Sequence, residues 1–267
     1  MADPAARSGG YTDSASLHRT ATSGFAHRIL ANYRASSMPD IDQHHVPGFG
    51  PDRCAAYLNG TEGAPPRELL VRTMDSLRSK HAGDARLRAL DLGCGPGREC
   101  VAMLQRGFRV IAIDPYEEML VRARALIASD CAELADQIVF VKATLEQHAP
   151  TITPDSLDLV HAGFVLPFVA PAEFARSFAL LRSGIAPGGY FVGQFFGPDD
   201  EFIRTSPKSA MTSHGAADIP VLFDGFDLLE HEEVNREGRI GQGRTGRTSR
   251  TKWWHVHHVV ARRRSDG

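Results

Sequence analysis

Short apolar runs alternate with amphipathic segments along most of this chain. Five runs rich in Val, Ile, Leu and Phe are predicted to be strands, and they cover residues 87–92, 109–114, 138–142, 157–162 and 190–196. The segments before and between them are predicted to be helices, at residues 65–77, 98–106, 117–127 and 171–183. Strands that alternate with helices form βαβ units, so the pattern predicts a parallel sheet covered by helices on both faces.

The chain ends on a different pattern. Residues 226–234 and 253–260 are both strand-like, and the segment between them is rich in Gly and Arg with no helical pattern. Two successive strands without a helix between them must pair as an antiparallel hairpin. The sequence therefore predicts an α/β fold with a seven-stranded, mostly parallel sheet, helices on both faces and a C-terminal antiparallel hairpin strand.

Three regions follow from the composition along the chain. Residues 1–24 are rich in Ala, Ser, Thr and Gly, which predicts a mobile N-terminal tail. Residues 25–64 contain predicted helices at 25–33 and near 52–58, and we interpret them as a helical extension that forms a lid over the strand ends. The α/β pattern runs unbroken from there, so residues 65–267 are predicted to form one domain.

Composition narrows the classes of function. The chain is 42% hydrophobic and 23% charged with a net charge of −2, so it is expected to be globular, without the basic bias that a nucleic-acid partner favours. No apolar run approaches the roughly 18 residues of a membrane helix, and the N-terminus does not resemble a signal peptide. The four cysteines have no metal or redox spacing, which predicts reduced thiols and a cytoplasmic protein. No metal is expected.

The most informative motif joins the first predicted strand to the next helix. Gly93, Gly95 and Gly97 stand at every second position, and Asp91 precedes them. Glycine allows positive φ and lets a ligand approach the backbone amides. A dinucleotide-binding turn reads G-x-G-x-x-G, so the third glycine here is one residue early. Asp91 at the strand end can hold a cation or an ammonium group, which a pyrophosphate site does not need.

The form D-x-G-x-G-x-G, with a second acid, Asp114, after the next strand, resembles motif I of class I S-adenosylmethionine-dependent methyltransferases. Towards the C-terminus, residues 195–200, 211–214, 225–226 and 252–262 are similar to the tellurite-resistance-type and thiopurine-type branch of small-molecule methyltransferases. The resemblance covers about residues 65–263. It implies a Rossmann-like sheet, S-adenosylmethionine as the cofactor and methyl transfer to a small molecule without a metal.

The motif and the resemblance together predict a cofactor site at the carboxyl ends of the strands. Asp114 is expected to accept both ribose hydroxyls. Where an acid often reads the adenine amino group, this chain has Thr144, so Leu145 and its amide are the expected adenine contacts. The predicted cofactor residues are Asp91, Gly93, Cys94, Gly95, Gly97, Asp114, Pro115, Tyr116, Met119, Thr144, Leu145 and Ala162.

Acceptor contacts are expected from the lid, from the segment after the fourth strand and from the loop after the fifth. The predicted residues are Phe164, Phe168, Phe196 and Tyr57. A thiol acceptor needs no base, whereas a hydroxyl or amine acceptor can need one. No residue pair has a spacing that identifies such a base, so the catalytic residue is left open, with the candidates His161, Tyr33 and His44.

Two features near the C-terminus invite other interpretations. Residues 236–252 hold five arginines, one lysine and four glycines, which predicts a mobile basic loop; it either attracts an anionic substrate or carrier or is simply solvated. Period-2 geometry places His255 and His257 on one face of the last strand and His258 on the other. These three histidines cannot converge on a metal, and we interpret them as packed side chains.

Three alternatives to a small-molecule methyltransferase stay open. The first is a methyltransferase that acts on a peptide, a carrier-bound intermediate or an RNA. The second is a catalytically silent module that binds the cofactor. The third, a nicotinamide-dependent oxidoreductase, is disfavoured by the glycine spacing. The fold cannot decide among them, because one fold hosts many functions.

Overall fold

The computed structural model describes residues 63–81, 87–240 and 251–265 of the chain. Its elements are α1 (Glu68–Lys80), β1 (Arg88–Leu92), α2 (Arg98–Gln105), β2 (Arg109–Asp114), α3 (Glu117–Asp130), β3 (Ile138–Lys142), α4 (Leu145–His148), β4 (Leu157–Ala162), α5 (Pro171–Gly184), β5 (Ile185–Phe196), α6 (Glu201–Thr205), α7 (Asp218–Leu222), β6 (Phe226–Arg239) and β7 (Thr251–Arg263). Short 3₁₀ helices cover Ala132–Gln137, Ala149–Thr151 and Leu166–Phe168. The predicted tail, nearly all of the predicted lid, and its residues Tyr33, His44 and Tyr57 lie outside the described residues.

The strands form one seven-stranded sheet in the order β3-β2-β1-β4-β5-β7-β6. β1 to β5 pair in parallel, and β7 is antiparallel to both of its neighbours, β5 and β6. β6 therefore runs parallel to the first five strands. The predicted mostly parallel sheet with a C-terminal antiparallel hairpin is confirmed. Because β1 and β4 are adjacent although β2 and β3 intervene in sequence, the strand order reverses next to β1.

Two apolar layers cover the sheet. On one face α1, α2 and α3 pack through residues such as Met74, Met103 and Leu120. On the other face α4, α5 and α7 pack through residues such as Phe178 and Phe223. The side chains of β1 alternate between the layers, as period-2 geometry requires, and the predicted placement of helices on both faces is confirmed. In the described ranges, no helix is long and apolar enough to cross a membrane.

The last three strands are longer than the apolar pattern predicts. β5 begins at Ile185 instead of residue 190 and contains Gly188 with φ 79°. β6 extends to Arg239, and β7 begins at Thr251. Most of β6 is exposed, so its charged residues give no apolar period, and backbone pairing with β7 holds it in the sheet. Both ends of the segment predicted to be a mobile basic loop are thus in strands, and residues 241–250, with Arg244, Arg247 and Arg250, lie outside the described ranges.

Candidate active site

The glycine turn lies at the carboxyl edge of the sheet, between β1 and α2. Gly93, Gly95 and Gly97 all have positive φ, at 66°, 52° and 89°. A Cβ on Gly97 would come within 2.9 Å of the Cβ of Ala123 in α3, so both the backbone conformation and the close packing require glycine there. The turn is fixed by the amide of Cys94, which donates to the carbonyl of Ile113 at 2.9 Å. The small, buried side chain of Cys94 fits this crowded position.

Asp114 ends β2 and faces this turn. One carboxylate oxygen accepts from the amide of Gly95 at 2.9 Å, and the other accepts from the amide of Tyr116 at 2.9 Å. The side chain is buried, and burial raises the pKa of Asp114 to about 6 although the two amide hydrogen bonds oppose the rise. The predicted neighbours Pro115 and Tyr116 are half-buried beside it, and Met119 is buried. Each carboxylate oxygen keeps a lone pair for a further donor.

Asp91 at the end of β1 is paired with protein groups. Its Oδ1 lies 2.7 Å from Nδ1 of His161, its neighbour in the register of β4, and its Oδ2 accepts from the thiol of Cys100 at 3.1 Å. All three side chains are buried. Nε2 of His161 is buried and has no hydrogen-bond partner among the described residues. The sequence suggested Asp91 and His161 separately; their adjacency follows only from the pairing of β1 with β4.

A charged cluster adjoins this pair at the start of α2. Glu99 is buried, and its carboxylate accepts from Nε of Arg98 at 2.9 Å and lies 3.8 Å from Nε of Arg67. Burial raises the pKa of Glu99, but the charge of His161 and the hydrogen bond from Arg98 outweigh that effect and bring it below its ordinary value. Sequence analysis missed Arg67 and Glu99, because nothing in their spacing relates them to the glycine motif.

Thr144 stands before α4, on the far side of Asp114. Its hydroxyl accepts from the amide of Gln147 at 3.4 Å, and the Gln147 side chain accepts from the amide of Thr144 at 2.9 Å. This reciprocal arrangement is a capping box, which explains a threonine at this position. Leu145 is buried beside it, and Ala162 is buried at the end of β4. The adenine contact of Leu145 and the methionine contact of Ala162 stay predictions.

The three predicted acceptor residues in the described part of the chain meet in one aromatic wall. The ring centroid of Phe196 lies 6.0 Å from that of Phe164 and 6.4 Å from that of Phe168. Phe164 has a left-handed backbone, with φ 59°, directly after Gly163. The sequence missed two further members of the wall: Trp254, 6.1 Å from Phe164, and Phe202, 6.4 Å from Trp254. The guanidinium of Arg67 lies 4.7 Å from the centroid of the Phe164 ring.

Lys252 was predicted to be in the basic loop, and the structure corrects this. Its ammonium group is buried and pairs with the buried carboxylate of Asp200. The nitrogen also lies 3.8 Å from the ring centroid of Trp254 and 4.1 Å from that of Phe202. A charged group is stable in such an apolar enclosure only with a partner, and Asp200 at the start of α6 provides one. Lys252 therefore packs against the rings of the aromatic wall inside the protein instead of extending into solvent.

Sequence comparisons relate part of this chain to methyltransferases. Residues 89–189 match the family described as a methyltransferase domain. The tRNA 5-carboxymethoxyuridine methyltransferase of Escherichia coli (strain K12) is 30% identical over 138 residues, which are 51% of this chain and 50% of that protein. The ubiquinone biosynthesis O-methyltransferase of Aeromonas salmonicida (strain A449) is 36% identical over 129 residues, 48% of this chain and 51% of that protein. The chain spans about half the length of these curated relatives.

Solved structures share the architecture over a larger part of the chain. TehB from Haemophilus influenzae has a TM-score of 0.57 at 16% identity, over 79% of this chain and 67% of that chain. The 1,6-didemethyltoxoflavin-N1-methyltransferase of Burkholderia thailandensis, solved with 1,6-didemethyltoxoflavin and S-adenosylhomocysteine, has a TM-score of 0.52 at 17% identity, over 90% of this chain and 91% of that chain. At these identities the likeness establishes the fold alone, and it confirms the Rossmann-like sheet.

Proposed function

We propose that this chain is a class I S-adenosylmethionine-dependent methyltransferase, and that it methylates a small molecule with an aromatic or heteroaromatic ring. The observation that carries the proposal is the position of two features at the same edge of the sheet. One is the Asp114 carboxylate held against the glycine turn. The other is the aromatic wall of Phe164, Phe196 and Trp254.

The residues of the turn fit the cofactor. Asp114 is a buried acceptor, and burial raises its pKa more than its two amide hydrogen bonds lower it. A ribose diol offers two further donors that the carboxylate can still accept. The positive φ angles of the three glycines allow the tight turn against which the Asp114 carboxylate is held. Pro115, Tyr116, Met119 and Leu145 line the adenine side, and the backbone of Ala162 lies where the methionine part is expected. When bound, S-adenosylmethionine supplies an electrophilic methyl group for in-line displacement.

The aromatic wall suits a planar acceptor. Phe164 and Phe168 follow β4, Phe196 ends β5, and Trp254 lies in β7, so three segments form one aromatic cluster at the strand ends. Aromatic rings bury large apolar areas and pack edge-to-face or offset against another ring. A surface of this kind orients a flat acceptor and excludes water from it, which are the main contributions that a protein can make to this chemistry.

His161 is the candidate base that the geometry favours. Its Nδ1 is held by Asp91 at 2.7 Å, which leaves Nε2 as the nitrogen without a partner among the residues that the structure describes. A carboxylate that orients the far nitrogen of an imidazole is the usual support of a general base. His161 would accept the proton of a hydroxyl or amine acceptor. A thiol ionises without help and needs no such group.

Titration calorimetry tests the cofactor part of the proposal. The purified full chain is titrated with S-adenosylmethionine, S-adenosylhomocysteine and NAD, beside Asp114→Ala and, as the matched control, Glu118→Ala, an exposed acid on α3. Micromolar binding of the two sulfur compounds that is lost in Asp114→Ala and kept in Glu118→Ala supports the site. Equal binding by all three proteins would overturn the role of Asp114. Binding of NAD alone would overturn the cofactor.

Transfer of a labelled methyl group then tests the acceptor. Phenols, heterocycles, thiols, amines and total tRNA are screened in parallel, because one relative is a tRNA methyltransferase and residues 236–252 hold five arginines. Labelling of ring compounds supports the proposal. Labelling of tRNA alone would favour a macromolecular acceptor that the basic segment helps to bind, and cofactor binding without any transfer would favour a silent module. The lid at residues 25–64 and the cytoplasmic location stay predictions.

A further inference from the structure

The middle of the β6–β7 hairpin brings together three side chains that the proposed methyltransferase site does not use. Glu233 of β6 pairs directly with His257 of β7 in the strand register, and His255 precedes His257 by two residues, on the same face. His258 faces the opposite side, where its ring lies 6.2 Å from that of Phe164. His255, His257 and His258 therefore do not share one face of β7, as the alternation of side chains predicts. The third group of the cluster is Glu233 from the neighbouring strand, which the pattern within β7 does not reveal.

We infer that Glu233, His255 and His257 form a binding site for a divalent transition-metal ion, with zinc as the best match. Each residue offers one ligand atom, and these atoms all lie within 4.8 Å of one another. Nε2 of His255 is 2.7 Å from Oε1 of Glu233, and the ring centroids of the two histidines are 5.2 Å apart. In a tetrahedral zinc site with bonds of about 2.0–2.1 Å, neighbouring ligand atoms are roughly 3.3 Å apart. Small side-chain rotations therefore suffice to reach that geometry.

The surroundings of the two histidines support ligation. Nδ1 of His255 accepts from the backbone amide of Asp199 at 3.2 Å and lies 3.3 Å from a carboxylate oxygen of the same residue, and Nδ1 of His257 lies 3.2 Å from Nε2 of His231. Ligating histidines commonly have their second nitrogen held by a carboxylate or another polar group, which fixes the ring and its tautomer. His231 lies on β6, the strand that also carries Glu233, so its contact with His257 links the two strands beside the cluster.

The burial and the donor atoms of Glu233, His255 and His257 suit a zinc ion. His255 and His257 are buried while Glu233 is exposed, so the cluster has a rigid base and an open side through which an ion can enter. Two imidazoles and one carboxylate are a zinc donor set. Magnesium and calcium prefer oxygen ligands alone.

A bound ion would join β6 to β7 at the level of the acceptor site. His255 and Trp254 are consecutive, so the strand that carries the metal ligand on one face carries a member of the aromatic wall on the other. The inference does not rest on the proposed function, because the three ligands touch neither the glycine turn nor the wall. It holds whether or not the chain transfers a methyl group.

Zinc titration of the full chain, stripped by chelation and free of any histidine tag, tests the site. The informative variant is Glu233→Gln, because Glu233 is exposed and the change keeps its shape. The matched control is Glu232→Gln, an exposed neighbour that faces the other side of β6 beside His258. We expect one zinc ion per chain with wild type and with Glu232→Gln. Loss of one ligand should weaken binding roughly 10-fold or more in Glu233→Gln.

Two further measurements distinguish the cluster from other zinc binding. Cobalt should give the visible absorption of a tetrahedral site in wild type and lose it in Glu233→Gln, and zinc should raise the melting temperature of wild type and Glu232→Gln only. Magnesium should do neither. Zinc binding that is unchanged in Glu233→Gln would overturn the site, since the ion would then be held by other histidines of the chain. Absence of zinc binding to the wild type would overturn it as well.

Discussion

At the scale of single residues, the chemistry of this chain depends on two buried carboxylates with different partners. Each carboxylate oxygen of Asp91 contacts a protein side chain, one His161 and the other Cys100. Among the described residues, Asp114 accepts hydrogen bonds from two backbone amides, and burial raises its pKa to about 6. The buried charge of Asp114 is therefore stabilised by fewer groups than it could accept, and ribose hydroxyls would add donors to it. We expect Asp114 to contribute most to the affinity for the cofactor.

Affinity for S-adenosylmethionine should fall in acid. If the ionised form of Asp114 accepts the ribose hydroxyls, protonation removes these interactions, and the pKa of about 6 places the change near pH 6. We expect binding at pH 5 to be roughly tenfold weaker than at pH 8, because one pH unit below a pKa leaves about a tenth of the group ionised. Calorimetry across this range measures it. Asp114→Asn should bind weakly at every pH, and a wild-type profile that is flat would exclude Asp114 from the binding equilibrium.

Replacement of His161 should affect acceptors unequally. His161→Asn removes a base from hydroxyl and amine acceptors, and loss of a general base typically costs about 10²–10⁴ in rate. Thiol acceptors, which ionise unaided, should lose much less. The ratio of kcat for a phenol and a thiol separates this from a structural effect, since a distorted site would slow both. The affinity for S-adenosylmethionine serves as a check on folding and should stay near that of wild type.

At the scale of elements, the apolar pattern was sufficient for the strands buried on both faces and insufficient for those at the open edge. β1 to β4 and the glycine turn are continuous with short apolar runs, so the strands and the turn that carry the proposed cofactor site could be predicted from the sequence. β6 is mostly exposed and charged, and its length depends on pairing with β7, which no local pattern reveals. For the same reason the sequence missed Lys252 in the wall and Glu233 beside His257, because both contacts form across chain segments.

The Lys252–Asp200 pair allows a test of how the wall is held. Asp200 accepts from the amides of Phe202 and His255 besides pairing with Lys252, so its removal breaks two backbone hydrogen bonds and takes the carboxylate away from a buried ammonium group. We therefore expect Asp200→Ala to destabilise the chain more than Lys252→Met, with a loss of about 3–5 kcal/mol for an uncompensated buried charge. The double variant should be more stable than Asp200→Ala alone. Urea unfolding measures all three, and equal losses for both single variants would contradict the argument.

At the scale of the whole molecule, the proposed cofactor site and the aromatic wall lie side by side along one edge of the sheet. The proposed cofactor residues belong to β1, β2 and the segments after β2 and β3, on one side of the strand-order reversal, and to Ala162 at the end of β4. The aromatic wall belongs to the segment after β4 and to β5, α6 and β7, on the other side. β4 is shared, with Ala162 towards the first group and Phe164 towards the second. The geometry implies that acceptor binding and cofactor binding can be changed separately.

Two adjacent tryptophans in β7 make that separation measurable. Trp254 contacts Phe164, Phe196 and Phe202, whereas Trp253 faces the other side of the strand and is 43% exposed. Trp254→Leu removes ring contacts worth about 0.5–1.5 kcal/mol beyond simple burial, so KM for an aromatic acceptor should rise roughly 2- to 10-fold. The Kd for S-adenosylmethionine should not change. Trp253→Leu has the same change in size and should leave both constants near wild type. A rise in the Kd for S-adenosylmethionine in Trp254→Leu would show that the two halves of the edge are coupled, and an unchanged KM would place the acceptor elsewhere.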